Sequence, residues 1–222
     1  MKTQLHIQTI LRETQALFGV HRKRTFIFFA LFLCLEGISQ LQAQSENFLS
    51  IVGVMIAVMF IAVQIMYLYA LEHGAVSLRK NITATYKYII PVVFASLIAV
   101  FACGIGLILF ILPGLYLFCA LALIAPLIVF ENKNVIASLS ESFDRTKGYK
   151  MTIFYLLAIY IAVSVLAAFM VSATDNSGIS LIVAAALHAV FSLYFQGGTY
   201  IIYKHLRPHT NHVESSHLEQ EE

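Results

Sequence analysis

The sequence has little charge, no tryptophan, three cysteines and four prolines. Charged residues make up 12% of the 222 residues, about half of the roughly 25% found in a typical globular domain. This composition excludes a soluble globular enzyme and a nucleic-acid binder, and the scarcity of charge also excludes a disordered chain. The cysteines lie in apolar runs without CxxC spacing, which predicts small buried side chains rather than a disulfide-stapled secreted domain.

Apolar residues are correspondingly abundant. They make up 59% of the chain, against roughly 45–50% in a globular domain, and the mean hydropathy is +0.81. We therefore expect an all-α membrane protein.

Six apolar runs are close to the roughly 20 residues that a helix needs to cross the hydrocarbon core. The longest uncharged run, 88–130, would measure about 64 Å as a single helix and must fold into two spans. Its turn is predicted at Pro113-Gly114, where proline can open the second helix. The predicted transmembrane domain covers 25–204, with spans at about 25–42, 48–71, 88–112, 114–130, 151–173 and 178–203.

The lysines and arginines divide unevenly between the two sides of these six spans. Because positive residues are retained on cytoplasmic flanks, this division predicts a multi-pass protein of the cell inner membrane with both termini in the cytoplasm. A cleaved signal peptide is disfavoured, since 24 residues precede the first run and Glu36 interrupts it. All 14 basic residues fall on the cytoplasmic side: Lys2, Arg12, Arg22, Lys23, Arg24, Arg79, Lys80, Lys87, Lys133, Arg145, Lys147, Lys150, Lys204 and Arg207.

Three segments outside the spans have distinct patterns. Residues 1–24 are predicted to contain a cytoplasmic amphipathic helix that either lies in the membrane interface or packs on the bundle. A second amphipathic helix is predicted at 134–147, lying along the membrane surface. In the second, Glu141 and Arg145 have the favourable four-residue spacing. The tail 205–222 is polar and is expected to be disordered. Its histidines lack the spacing of a zinc site, so no metal is predicted. The apolar stripe of 134–147 contains Val135, Ile136, Leu139 and Phe143.

Several short motifs together resemble the YciC family of multi-pass bacterial inner-membrane proteins. The motifs are ILRET at 10–14 leading to Phe18, GAVSLR at 74–79, Leu112-Pro113-Gly114, Ala125-Pro126 followed by Phe130-Glu131, and VIAS at 135–138 with Ser142. The proline motifs and the 135–142 segment are also similar to the membrane domain of some glycerophosphodiester phosphodiesterases. The resemblance implies a six-helix inner-membrane fold. It implies no activity, because the YciC family has no established one. The likeness to the phosphodiesterases stops at the membrane part, since this chain has no soluble catalytic domain with its paired carboxylates and histidines.

Two ionisable residues fall within the predicted spans. Glu36 lies about 21 Å along its helix from Arg22, and His188 about 24 Å along its helix from Lys204. An ionisable group at such depth is by default a functional hypothesis. The two side chains could pair in a polar ligand site or a proton-coupled site, or each could satisfy a backbone carbonyl.

Gln64 and Gln196 form a second candidate pair. Each lies about 12 Å from the cytoplasmic end of its helix, so the two share a layer. A hydrogen bond between them would stabilise the packing of the two helices by about 0.6 kcal/mol on average. The tentative intramembrane polar site therefore contains Glu36, His188, Gln64 and Gln196.

The sequence contains no P-loop, no GxGxxG, no HExxH and no GxSxG motif, so neither an enzyme nor a cofactor is predicted. The expected protein has six transmembrane helices plus two cytoplasmic amphipathic interfacial helices. It is expected to contact membrane lipids or a membrane-protein partner, and no nucleic acid. The alternative is a small transporter or permease component with a polar site around Glu36 and His188.

The 14-to-0 division of basic residues predicts the topology. Reporter fusions at the N terminus and after residue 212 should both report a cytoplasmic location, because a basic flank separates each end from its nearest span. Alkaline phosphatase activity from the fusion after residue 212 would contradict the six-span assignment.

Overall fold

The chain is helical wherever its structure is described. The computed structural model describes residues 7–20, 22–43, 51–74, 78–173 and 178–207. These contain no strand. The helices, in chain order, are α1 Ile7–Val20, α2 Arg22–Ala43, α3 Ile51–His73, α4 Leu78–Leu109, α5 Ile111–Ala120, α6 Ile124–Glu131, α7 Val135–Arg145, α8 Lys150–Ala173 and α9 Gly178–Leu206.

Within the described ranges, five helical segments are long and apolar enough to cross a membrane. This identifies a multi-pass membrane protein, as the composition predicts. The segments are Val52–His73, Arg79–Leu109, Ile111–Glu131, Lys150–Ala173 and Gly178–Leu206.

The first predicted span, 25–42, falls within α2, which is not among these five segments. Its 22 residues extend about 33 Å, close to the thickness of the hydrocarbon core. Glu36, Ser39 and Gln40 make its second half more polar than the other spans. Helix α2 is therefore long enough for a sixth crossing, but it is more polar than the five segments above.

The uncharged run 88–130 is interrupted earlier than the sequence predicts. The helix breaks at Phe110, whose backbone is extended with φ −160° and ψ 142°, and Pro113-Gly114 lies inside the first turn of α5. Proline is tolerated there because the first helical N–H groups have no intrahelical acceptor. Gly114 has a different role from the turn predicted for it. A Cβ on Gly106 would lie 2.9 Å from the Gly114 Cα, so the two glycines let α4 and α5 pack closely.

A second break divides the predicted span 114–130 into α5 and α6. Ser142 of α7 joins the two helix ends: its Oγ donates to Ala120 O at 2.7 Å and accepts from Leu123 N at 3.1 Å. Thr146 Oγ1 also donates to Ala120 O, at 3.3 Å. These bonds supply partners for backbone groups that the break would otherwise leave unpaired in an apolar setting.

Helix α7 occupies most of the predicted interfacial segment 134–147. It begins after Asn134, whose Oδ1 accepts a hydrogen bond from Ala137 N at 2.8 Å. The face against the bundle includes small hydroxyl residues as well as apolar ones, and Ile136 of the predicted apolar stripe is 79% exposed. Val135 and Leu139 pack against α4 and α6. The buried hydroxyl residues are Ser138, Ser142 and Thr146.

Helix α9 is the centre of the bundle and packs against α1, α2, α3 and α8. A Cβ on Gly197 would lie 2.8 Å from Thr14 Cγ2, and a Cβ on Gly198 would lie 2.8 Å from Leu156 Cδ2. The two glycines therefore allow close packing of α1 and α8 on different sides of α9. The predicted tail begins at 205, but residues 205–206 belong to α9, and residues 208–222 lie outside the described ranges.

The Ser142 bridge predicts a specific loss of stability. Ser142→Ala should lower the free energy of unfolding by about 1–3 kcal/mol, because it leaves Leu123 N–H without its acceptor and removes one donor to Ala120 O. Ser140→Ala on the exposed face of α7 is the control and should change stability by less than about 0.5 kcal/mol. Detergent unfolding midpoints measure both, and equal losses would contradict the assignment.

Candidate functional site

Glu36 and His188 lie on two helices, α2 and α9, that pack against each other. Both residues are half-buried. Neither an ion pair nor a hydrogen bond joins their side chains, and Tyr160 of α8 lies within electrostatic range of Glu36. His188 Nδ1 is buried without a hydrogen bond of normal geometry, although the backbone of Ala184 lies beside it, one turn earlier. The structure thus brings the two helices together but does not couple these two side chains.

Three further polar residues surround this region, and the sequence analysis did not select them. The Tyr160 hydroxyl lies beside Ser164 and Ser192, and Ser164 Oγ donates to Tyr160 O at 2.9 Å. Ser192, one turn from His188 on α9, is buried, and its Oγ makes no hydrogen bond of normal geometry. Glu36, Tyr160, Ser164, His188 and Ser192 form what we call the intramembrane polar cluster. In the sequence these residues stand out only as hydroxyl groups within two apolar runs. Such residues are common in membrane helices, so they did not indicate a site.

Gln64 and Gln196 are not hydrogen-bonded to each other. Gln196 is buried on α9, whereas Gln64 is half-buried on α3. The shared layer of the two residues, inferred from helix lengths, therefore does not produce the interhelical bond considered for them. Rotation about each helix axis decides which neighbour a side chain faces, and distance along the helix leaves that rotation open.

The basic end of the bundle carries a network of charges that forms around Glu131, the last residue of α6. Arg145 of α7 donates to both Glu131 oxygens, at 2.6 and 2.8 Å, and Tyr203 OH donates at 3.0 Å. Lys133 Nζ lies 3.2 Å from the same carboxylate. A bidentate arginine fixes both distance and orientation. The pairing of Glu141 with Arg145, considered from their spacing, is present, and Glu141 also binds Lys133.

Two further acceptor residues, Glu72 and Asn132, join helix ends near the charged network. Glu72 of α3 accepts from Tyr200 OH at 2.7 Å and from Arg207 at 3.0 Å. Asn132, in the left-handed conformation with φ 50°, accepts from Tyr88 OH at 2.7 Å. Glu72 and Glu131 are both engaged by cationic and hydroxyl donors, an arrangement suited to holding helices rather than to accepting a proton from a substrate.

Three surface grooves lie away from the predicted site residues. One of about 650 Å³ separates α5 from α8, one of about 520 Å³ lies between α1, α2 and α9, and one of about 570 Å³ lies on α7. None of these three is lined by Glu36, Gln64, His188 or Gln196. In the described part of the chain, no group of three or more His, Cys, Asp or Glu residues is placed to hold a metal ion.

Comparison of the chain with protein-family models, with curated proteins and with solved structures finds no match. The likeness to the YciC family therefore stays a prediction from short motifs.

The geometry of Glu36 and His188 predicts how paired substitutions behave. Glu36→Gln and His188→Leu should have additive effects on detergent unfolding midpoints, within about 0.5 kcal/mol, because neither an ion pair nor a hydrogen bond joins the two side chains. Glu131→Gln and Tyr203→Phe should instead be non-additive, because Tyr203 OH donates to Glu131 at 3.0 Å. A coupling larger for the histidine pair than for the tyrosine pair would contradict the arrangement described.

Proposed function

We propose that the chain is a non-enzymatic protein of a bacterial inner membrane that contacts membrane lipids or a membrane-protein partner through α1 and α7. In this proposal the protein has six spans, with α2 as the first, and both termini lie in the cytoplasm. The likeness to the YciC family is consistent with it. The proposal needs no cofactor, metal or nucleic acid.

The observation that carries the proposal is the way α7 is attached. Ser142 and Thr146 bond to the break between α5 and α6, and Arg145 binds Glu131 in a bidentate pair. These bonds hold α7 rigidly against the bundle, while Ile136 stays exposed beside the charged residues of the helix. A fixed amphipathic face is suited to contact with a lipid headgroup region or a partner helix.

Helix α1 is attached independently and supports the same reading. Ile10 and Thr14 are fully buried, and Glu13 lies 3.8 Å from His205 Nε2 of α9. Gln8 and Arg12 remain exposed, so one side of α1 packs on the bundle while the other stays available. The protein would then offer two fixed amphipathic helices at its basic end.

Transport is a second candidate, favoured by the intramembrane polar cluster. His188 Nδ1 and Ser192 Oγ are buried without hydrogen bonds of normal geometry, and unsatisfied polar groups in a membrane protein are candidates for contact with an ion, a proton or water. A transporter would have to move protons or a solute across proteoliposomes, with loss of that flux in Glu36→Gln. The packed aromatic cluster around Phe28, Phe32 and Tyr67 favours the first proposal.

The first proposal predicts where α7 sits relative to the bilayer. A spin label at position 136 in proteoliposomes should report the depth of the interface, because Ile136 is exposed on the proposed lipid-facing side. Labels at Ser140 and Asp144, which are exposed on the same side of α7 one and two turns later, should report a similar depth, because positions four residues apart share one face of a helix. Uniform aqueous exposure at all three positions would contradict the proposed membrane contact.

A further inference from the structure

An apolar groove separates α5 from the first turns of α8. It has a volume of about 650 Å³, and Lys150 is the only charged residue among the eight that line it. In a membrane-spanning bundle, an open apolar groove contacts acyl chains rather than water. The other lining residues are Leu112, Pro113, Leu115, Tyr116, Cys119, Met151 and Phe154.

Lys150 is held in the groove by aromatic rings. Its Nζ lies 3.6 Å from the Tyr116 ring centroid and 4.3 Å from that of Phe143. Ring faces attract a cation but leave its charge uncompensated. Among the described residues, no carboxylate lies within ion-pair distance of Lys150.

Lys147 provides the contrast within the same segment. It also approaches Phe143, at 5.8 Å, but its Nζ lies 2.7 Å from Asp144 Oδ1. Two lysines three residues apart therefore differ in one respect that matters for an anion. Lys147 already has a carboxylate partner, whereas Lys150 presents its charge to the groove.

We propose that this groove binds one anionic phospholipid, with an acyl chain lying between α5 and α8 and the phosphate against Lys150. The groove supplies the apolar contact, and Lys150 supplies the charge complement that selects an anionic headgroup over a zwitterionic one. Lysine commonly binds phosphate as a point charge. This inference rests on the proposed function, since it names the lipid class and the residues of one lipid contact.

The test is native mass spectrometry of the full-length protein in detergent with dioleoyl phosphatidylglycerol or dioleoyl phosphatidylcholine at equal concentration. The wild-type protein should retain phosphatidylglycerol in preference. Lys150→Gln should reduce that retention about fivefold, the size expected for one basic residue near an anionic lipid. Lys147→Gln removes the same charge and should leave retention unchanged, while Lys150→Arg should preserve it.

A headgroup-only probe separates a lipid site from a phosphate site. Glycerol phosphate should not be retained, because it lacks the acyl chain that fills the groove. Equal retention of the two lipids, equal losses in the two glutamine variants, or retention of glycerol phosphate as strong as that of phosphatidylglycerol would each overturn the proposal. Unfolding midpoints of both glutamine variants exclude misfolding as the cause of a loss.

Failure of the groove proposal can be distinguished from failure of the role proposed for α7. If the label at 136 reports the interface but Lys150→Gln retains phosphatidylglycerol, the groove proposal fails and the role of α7 stands. If the label at 136 is in water but Lys150→Gln releases the lipid, the groove stands and the role of α7 fails.

Discussion

The fold depends on one constraint: backbone N–H and C=O groups in an apolar environment must have partners. An uninterrupted helix meets this constraint by itself, but the run between Tyr88 and Phe130 is broken twice. The second break leaves Ala120 O and Leu123 N near the middle of an otherwise helical segment. Ser142 and Thr146 satisfy these groups from α7, so a helix outside the predicted spans completes one of them.

The same constraint explains why polar residues of α7 face inward. On an amphipathic helix lying against a soluble core, the apolar stripe is expected to be buried. Here the surface that α7 covers includes backbone groups without helical partners, so Ser142 and Thr146, which bond to them, take buried positions. Ile136 is left outside, where apolar residues of a membrane protein meet lipid. The charge network around Glu131 then fixes the orientation of α7.

The sequence was sufficient to predict an all-helical membrane protein and the approximate extent of most helices, because these follow from apolar run length. It misplaced the first break in 88–130, since Pro113 is compatible with either a turn or the first turn of a helix. It did not predict the break after Ala120, because the decisive partner, Ser142, lies 22 residues away. Glu36, His188, Gln64 and Gln196 were selected by depth alone. Their actual neighbours depend on helix rotation, which depth does not determine.

The central position of α9 has a consequence for the order in which the protein is assembled. Helix α9 follows α1, α2 and α3 in the chain, yet α1 packs on it near Gly197, and α2 and α3 also contact it. These contacts join helices far apart in the sequence, so they cannot form until α9 has been synthesised. Until then α2 and α3 must be shielded by lipid or by the insertion machinery. A truncation that removed α9 would leave them without their main packing surface.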